Sequence, residues 1–326
     1  MTGARLSAIN GAAAALALAV SIAAAALASR PPASARDTAK RGPSPATTAA
    51  ASVVDASGFR VEVRPYRRIA SGSTVADRLL LDLAQPDQLI ALTEFGARHS
   101  SVAHRYGSRA LISDLNDTES LLALKADLLL VNNYGDRGRV ARLRESGLTV
   151  FDLGEMRGLT TLLPNIRAVA AILGVPARGA AYEQALVQRL QRVAAPLGAR
   201  GRRGALYVSI YGDRLFGGTV GTNYHDVLTF AGLDDVAAAR FAGWPQYSAE
   251  DLLALDPELV VSKPGMRRQL CAQPGLEHLR ACRAGDGASF VELPGPLLDD
   301  PGPAILDAAE ALFAAAYPEA IARPAP

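Results

Sequence analysis

The segment Glu119-Ser-Leu-Leu-Ala-Leu-Lys-Ala-Asp-Leu-Leu-Leu-Val131 recurs 131 residues later as Glu250-Asp-Leu-Leu-Ala-Leu-Asp-Pro-Glu-Leu-Val-Val-Ser262. Each copy opens with an acidic turn, places leucines at helical spacing and ends in an apolar run typical of a buried strand. After each copy come a loop, a helical pattern and another strand-like run, at 149–153 and at 289–293. Two copies predict two similar α/β lobes rather than a solenoid.

Short apolar runs alternate with helical patterns through the rest of the chain. They lie at 128–131, 149–152, 205–209, 259–262 and 289–292. This alternation predicts βα units, and hence two Rossmann-like lobes with parallel sheets and a ligand cleft between them.

The region between the two copies has helical periodicity. The pattern covers 164–173 and 177–195 and is interrupted at Gly174-Val-Pro176. We expect residues 164–200 to form one long connecting helix, between an N-terminal α/β lobe at 59–163 and a C-terminal α/β lobe at 201–326.

The first 28 residues have the pattern of a signal peptide. Arg5 precedes an alanine-rich apolar run, and Ala26-Leu27-Ala28 fits the small-x-small cleavage rule. An uncleaved membrane anchor is the alternative, because the run approaches spanning length. Both readings place the remaining chain outside the cytoplasm, and the periplasm is expected. Residues 29–58, rich in Pro, Ala, Ser and Thr, are expected to form a flexible linker.

Composition excludes several classes of protein. A net charge of +2 in 326 residues shows no concentrated basic face for DNA or RNA. The sequence has no Gly-x-Ser-x-Gly, His-Glu-x-x-His or Walker motif, so we do not expect an enzyme. Cys271 and Cys282 are the only cysteines, and in an exported chain they are expected to form a disulfide.

Several motifs, in order and spacing, resemble the periplasmic binding proteins that serve ABC importers of ferric siderophores, haem and cobalamin. The resemblance covers about residues 66–317. It rests on Arg68-Ile-Ala-Ser-Gly-Ser73, on 116–127 with Ala126 where Pro is usual, on the segment 221–232 and on Trp244-Pro-Gln-Tyr-Ser248. Two departures are Asp77-Arg78 where the family has a Glu, and Gly232-Leu-Asp-Asp235 in place of Gly-Gly-Glu-Asn.

The resemblance implies a monomeric carrier without a cofactor, whose partners are a metal chelate and an ABC permease in the inner membrane. The family meets arginines of two permease subunits with one acid on each lobe, which here implies Glu119 and Asp234. Glu119 has an alternative role, since Asn116 and Glu119 have the spacing of a helix capping box. Asp234 could likewise be an ordinary turn residue.

Ligand-binding residues are expected in the loops at the carboxyl ends of the strands. Aromatic rings and cationic side chains concentrate there, a combination that suits an organic anionic chelate. The loops also contain or adjoin Arg139, Arg214, Lys263 and Arg268. The candidates are Ser71, Ser73, Tyr134, Arg137, Tyr211, Tyr224, His225, Trp244, Tyr247 and Arg267.

Each aromatic candidate could instead pack a lobe, and His225 could cap a helix rather than ligate iron. No histidine is clearly paired with other metal ligands, so a bare metal site is not expected. A ferric siderophore is the expected ligand, with cobalamin and haem as alternatives. Two alternatives belong to other functional classes. One is an enzyme that acts on a chelate or tetrapyrrole, and the other is a membrane-tethered sensor.

Overall fold

The computed structural model describes residues 51–133, 136–198, 200–283 and 289–322. The expected signal peptide at 1–28 and most of the expected linker lie outside these ranges. No helix in the described ranges is long and apolar enough to cross a membrane.

Regular structure begins before Phe59, within the expected linker. Strand β1 (Ser52–Val54) pairs antiparallel with β2 (Arg60–Glu62). Asp55 closes the turn between them by accepting the backbone N–H groups of Ser57 and Phe59. Asp55 also accepts the N–H of Asp152, which fastens the hairpin to the first lobe. These tertiary contacts order a segment whose composition alone predicts a linker.

The first lobe has the expected parallel sheet, with strand order β5-β4-β3-β6-β7. Helices connect successive strands of this sheet and pack on its faces. Its strands are β3 (Ile69–Ser71), β4 (Leu89–Thr93), β5 (Ala110–Ile112), β6 (Leu128–Val131) and β7 (Val150–Asp152). Its helices are α1 (Thr74–Leu83), α2 (Glu94–His99), α3 (Thr118–Ala123) and α4 (Arg137–Glu145).

The second lobe also has parallel strands, and two antiparallel strands extend its sheet. Strands β8 (Arg203–Tyr211), β10 (Leu233–Asp235), β12 (Leu259–Ser262) and β13 (Phe290–Glu292) are parallel. Strands β9 (Arg214–Gly217) and β11 (Gln246–Tyr247) extend it antiparallel. Strands β8 and β9 form a β-hairpin, whose tight turn contains Gly212 at φ 64°.

Helices pack around the second sheet as they do around the first. They are α7 (Asn223–Phe230), α8 (Ala249–Leu255), α9 (Met266–Cys271), α10 (Arg280–Arg283), α11 (Gly295–Leu298), α12 (Ile305–Ala316) and α13 (Pro318–Ala322).

The sequence repeat is also a repeat of backbone conformation. Lys125 follows α3 with φ 50°, and Asp256 follows α8 with φ 33°. They occupy equivalent positions and are the only non-glycine residues with positive φ in the described ranges. Because side chains disfavour this conformation, its recurrence shows that both copies reverse the chain in the same way before the buried strand.

An acid just before each buried strand also has an equivalent role in the two lobes. Asp127 accepts the N–H groups of Arg67 and Arg68, at 2.8 and 2.9 Å, where the chain enters β3. Glu258 faces the N–H of Gly204 in β8 at 3.5 Å. Each carboxylate thus holds the repeat against the start of the central strand of its own lobe.

The crossing consists of two helices rather than the one long helix expected. Helix α5 (Leu159–Ile172) ends at a turn with Gly174 at φ 70°, and α6 (Pro176–Val193) begins with proline at its first position. The two helices pack against each other. Their buried residues join one apolar core with residues of both lobes, including Leu79, Leu228 and Leu312.

Cys271 and Cys282 form the expected disulfide, with Cα atoms 5.5 Å apart. The bond ties the end of α9 to α10.

Loop-closure entropy predicts that replacing both cysteines by serine lowers the free energy of unfolding by about 3 kcal/mol. Urea denaturation of parent and double variant measures this change. A reductant should destabilise the parent to the same extent and leave the double variant unaffected; a parent indifferent to reductant contradicts the prediction.

Candidate ligand-binding site

A cavity of about 640 Å³ lies between the lobes. It is formed at the carboxyl ends of the parallel strands, where open α/β sheets bind their ligands. The first lobe contributes Ser73, Phe95, Asn132, Arg139 and Met156, and the second contributes Tyr211, Asn223, Tyr224, Trp244 and Asp299, among others.

The turn that follows β3 lines the cavity on the side of the first lobe. A Cβ on Gly72 would lie 2.7 Å from Leu115 and 2.9 Å from Val131, so only glycine allows the chain to pass this closely. Ser73 lines the cavity and caps α1 by accepting the N–H of Ala76. Ser71, by contrast, is fully buried and donates to the backbone oxygen of Ser73, so it supports the wall without lining it.

A chain of hydrogen bonds fixes the second-lobe wall. Tyr224 donates to Asp299 at 2.8 Å, and the ammonium of Lys263 lies 2.7 Å from the other oxygen of that carboxylate. Lys263 also donates to the hydroxyl of Tyr211 at 3.0 Å. Burial raises the pKa of Tyr224, so its phenol stays neutral. The ring of Tyr207 stacks on Tyr224 at 3.8 Å between centroids. Two tyrosines are therefore held in fixed positions at the cavity.

Trp244 lies on the second-lobe wall and is 38% exposed. The guanidinium of Arg157, from the end of the first lobe, lies 5.0 Å from the centre of its ring. Arg157 is held by Glu155 at 2.9 Å. A cation–π contact thus crosses between the lobes and orients the indole.

Arg139 supplies positive charge on the first-lobe wall. Its Nε atom is buried and has no hydrogen-bond partner among the described residues. Buried polar groups are normally paired, so this guanidinium has donor capacity available for an acidic group of a ligand. Asp114 also borders the cavity, so the wall carries charges of both signs.

Further polar contacts tie the lobes together beside the cavity. Asp226 in α7 accepts the N–H of Leu159 at 2.7 Å and so caps α5 from the opposite lobe. Gly158 makes this approach possible, because a Cβ there would lie 2.3 Å from the carboxylate. Arg78 in α1 pairs with Asp307 in α12 at 2.7 Å. These contacts connect the walls that face each other across the cleft.

Asp77, which stands near the family's usual glutamate, has a structural role. It is fully buried and accepts hydrogen bonds from the N–H of Thr93 and the hydroxyl of Tyr106. Burial raises the pKa of its carboxyl. The shorter acid therefore joins α1 to the end of β4 instead of reaching the cavity.

Besides Ser71, three of the expected ligand-binding residues do not line this cavity. His225 pairs with Asp235 at 2.8 Å. Tyr247 is buried on β11 against Gly217 and Phe241. Arg267 borders a different, open groove beside the disulfide. Of the remaining candidates, Tyr134 and the side chain of Arg137 lie outside the described part of the chain.

Sequence reasoning did not select several residues that line the cavity. Phe95 and Asn132 lie within two residues of the ends of β4 and β6, so their position after a strand was a usable signal. No such signal marks three further lining residues, Met156, Asn223 and Asp299. They line the cavity because the two lobes pack against each other, which a local sequence pattern does not predict. No group of three or more His, Cys, Asp or Glu side chains in the described ranges could hold a metal ion.

The contact of His225 with Asp235 predicts a pH dependence of stability. The hydrogen bond that the Asp235 carboxylate accepts from the imidazole raises the pKa of His225. Because the pKa of His225 is higher in the folded protein, the pair stabilises the fold fully when the pH is below the unfolded-state pKa of histidine, about 6.5. This stabilisation is lost as the pH rises through the folded-state pKa of His225. His225→Gln should therefore lower the free energy of unfolding more at about pH 5.5 than at about pH 8.5.

Urea denaturation at the two pH values measures this difference, with the exposed His104→Gln as control. Ligand affinity should not change in either variant, because neither residue lines the cavity. Equal destabilisation by His225→Gln at both pH values would contradict the role assigned to the pair.

Known proteins share this architecture. A periplasmic haem-binding protein of Pseudomonas aeruginosa is 28% identical, with a TM-score of 0.61 over 80% of this chain and 95% of that one. The periplasmic vitamin B12 binding protein of Vibrio cholerae is 21% identical, with a TM-score of 0.58 over 79% of this chain and 99% of that one.

Sequence comparison gives a curated relative and a family. A cobalamin-binding protein of Halobacterium salinarum is 26% identical over 199 residues, which are 60% of this chain and 53% of that protein. This chain therefore spans about half the length of that relative. The sequence model described as periplasmic binding protein matches residues 69–287, which include strands of both lobes and the crossing. The chain belongs to the periplasmic binding protein family.

Proposed function

We propose that this protein is an extracytoplasmic carrier that binds an organic metal chelate in the inter-lobe cavity and delivers it to an ABC importer. The observation that carries the proposal is the cavity wall itself, where Trp244, Tyr211 and Tyr224 are held in place opposite Arg139. A cavity of about 640 Å³ falls in the range of small-molecule sites. Export through a cleaved signal peptide at 1–28, to the periplasm, is part of the proposal.

The unpaired donor of Arg139 favours an anionic group on the chelate. The guanidinium of Arg139 has a buried donor without a partner in the described ranges, whereas Lys263 is already neutralised by Asp299. A carboxylate or catecholate on the ligand would supply the missing acceptor. The carboxylates or catecholates of a ferric siderophore, the propionates of haem and the phosphodiester of cobalamin are all groups of this kind. The haem-binding and cobalamin-binding relatives support the chelate class without choosing within it.

Trp244 is the only tryptophan in the chain, so its fluorescence reports on the cavity directly. Titration with ferric siderophores, haem and cobalamin should give a saturable change for one class. Trp244→Ala should weaken that binding by about 1–3 kcal/mol, the range for a buried aromatic anchor. Affinity of the variant is measured by the ligand's own absorbance or by calorimetry.

Phe59→Ala provides a matched control. Phe59 is an exposed aromatic that also lies under an arginine, with Arg144 at 4.3 Å, but it does not line the cavity. Its replacement should leave affinity unchanged. Unaltered affinity in Trp244→Ala would remove this residue from the site. Recovery of the ligand with an altered mass would support an enzyme instead of a carrier.

Delivery requires a surface that meets the permease. Glu119 is exposed in the first turn of α3. The helix is capped by Asp117, which accepts the N–H of Ser120, so the capping box between Asn116 and Glu119 does not form. The side chain of Glu119 is therefore not needed for capping. This supports the proposal that it docks onto the permease.

The second-lobe acid has two candidates. Asp234 pairs with Arg202 at 2.9 Å and lies opposite Gly204 at the start of β8, remote from the carboxyl edge that forms the cavity. Glu250 is the repeat counterpart of Glu119 and is exposed in the first turn of α8. Equivalence in fold and exposure favours Glu250, so we add it to the proposal beside Asp234.

Paired substitutions distinguish the two candidates. Glu119→Gln with Glu250→Gln should bind ligand normally but fail to support uptake, because two exposed charge pairs orient the complex on the permease. Glu119→Gln with Asp234→Asn should match Glu119→Gln alone if Asp234 only pairs with Arg202. Uptake of the labelled ligand by cells carrying each variant measures this. Parent-level uptake by both double variants would show that these acids do not dock.

A further inference from the structure

A second cavity, of about 450 Å³, lies between the lobes beside the main cavity described above. Thr74 and Phe95 of the first lobe line both cavities, so the two are immediate neighbours. On the second lobe, Asp299 lines the main cavity, and the next residue, Asp300, lines the second one. A ligand that contacts Phe95 in the main cavity therefore lies at the edge of the second.

Apolar side chains from both lobes form much of the wall of this second cavity. The second lobe contributes Pro294, Pro296, Leu297 and Ala304. From the first lobe, Phe95 in α2 is 53% exposed and belongs to none of the apolar cores in the described ranges. Its ring stacks on His99, with 4.4 Å between centroids, which holds the ring in position. The packing of the lobes thus leaves this ring available to a ligand.

The charged and polar side chains around the second cavity already have partners. Arg78 pairs with Asp307 at 2.7 Å, and Arg98 pairs with Glu94. The same is true of Ser100, Ser101 and Asp300, which bond to Val102, Asp307 and Gly302. None of the side chains that line this cavity has a buried polar atom without a partner among the described residues, whereas Arg139 in the main cavity has one. Because an ionised group buried here would meet no unpaired buried donor, the cavity suits an apolar group.

We propose that the second cavity binds an apolar arm of the same chelate whose metal-binding head group occupies the main cavity. This inference rests on the proposed function and narrows the ligand to chelates that carry a short acyl or aryl arm. The residues that line both cavities support it, because an arm attached to a bound head group starts from the boundary at Phe95. The arm contributes affinity as its apolar surface leaves water.

A separate apolar molecule and a partner protein are the other occupants to consider. A separate molecule would lose its own freedom of motion for contacts in a cavity of about 450 Å³ alone. A tethered arm has a high effective concentration and avoids most of that loss. A partner protein could reach a wall that is formed by both lobes only with an inserted side chain. The tethered arm is therefore the favoured occupant.

The test separates the arm from the head group. The probes are the ferric complexes of one catecholate and one hydroxamate chelator, each prepared with an acetyl arm and with a hexanoyl arm. Affinities are measured through the fluorescence of Trp244, which lines the main cavity. For the head group that binds, the hexanoyl complex should bind at least about tenfold more tightly than the acetyl complex, because the added methylene groups are buried.

Leu297→Asn should remove most of this advantage, because a polar amide replaces part of the apolar wall. Affinity for the acetyl complex should stay at the parent's value, since Leu297 does not line the main cavity, and this result also shows that the variant is folded. Leu297→Met keeps the apolar volume and should retain the advantage. Phe95→Ala, a change at an exposed position outside the apolar cores, should reduce it.

Leu111→Asn is the matched control, because Leu111 is 50% exposed on β5 and lines neither cavity. It should bind all four complexes like the parent.

Equal affinity of the parent for the acetyl and hexanoyl complexes would overturn the inference and leave the proposed function standing. So would an advantage that survives in both Leu297→Asn and Phe95→Ala, because the arm would then lie elsewhere. Binding of haem or cobalamin by a parent that binds none of the four complexes would also overturn the inference alone. A parent that binds no chelate of any of these classes would overturn the proposed function together with the inference.

Discussion

A single apolar core passes through the crossing and joins the two lobes. It combines residues from α1 in the first lobe, from α5 and α6 in the crossing and from α7 and α12 in the second lobe. Because this core is continuous, moving one lobe against the other would disturb close packing rather than bend a free linker. The cavity walls therefore keep their separation, and the cross-lobe cap of Asp226 on α5 reinforces it.

This constraint explains the composition of the cavity. Side chains that line a cleft of fixed width can be positioned before the ligand arrives, which lowers the entropy lost on binding. Neighbouring side chains hold the lining residues in position. Lys263 contacts both Asp299 and Tyr211. Arg157 packs on the ring of Trp244, and Ser71 donates to the backbone oxygen of Ser73. Arg139 is the one cavity-lining residue whose side chain keeps a buried, unpaired donor in the described ranges, and under the proposed function an acidic group of the ligand pairs with it.

Much of the fold could be predicted because the sequence repeat has a recognisable helix-then-strand pattern, and two copies of it indicate two similar lobes. The buried strands at 128–131 and 259–262 were located correctly, since a continuous apolar run after a helix has few alternatives. The β8–β9 hairpin was missed because β9 is a short antiparallel strand with an exposed arginine and two glycine-flanked ends. The burial of Tyr247 could not be predicted, because it depends on Gly217: a Cβ there would lie 2.3 Å from the tyrosine ring, and no local sequence pattern indicates this approach.

The position of α12 determines the order in which the molecule can be assembled. This helix ends at residue 316 of a 326-residue chain, yet Ile305, Leu312 and Phe313 fill the core at the crossing. During synthesis or translocation, which deliver the amino terminus first, the first lobe and the crossing helices emerge with this side of their core still open to water. The ligand cleft consequently takes its final shape only after α12 has been released, so a truncation that removes α12 would damage a site formed by residues far earlier in the sequence.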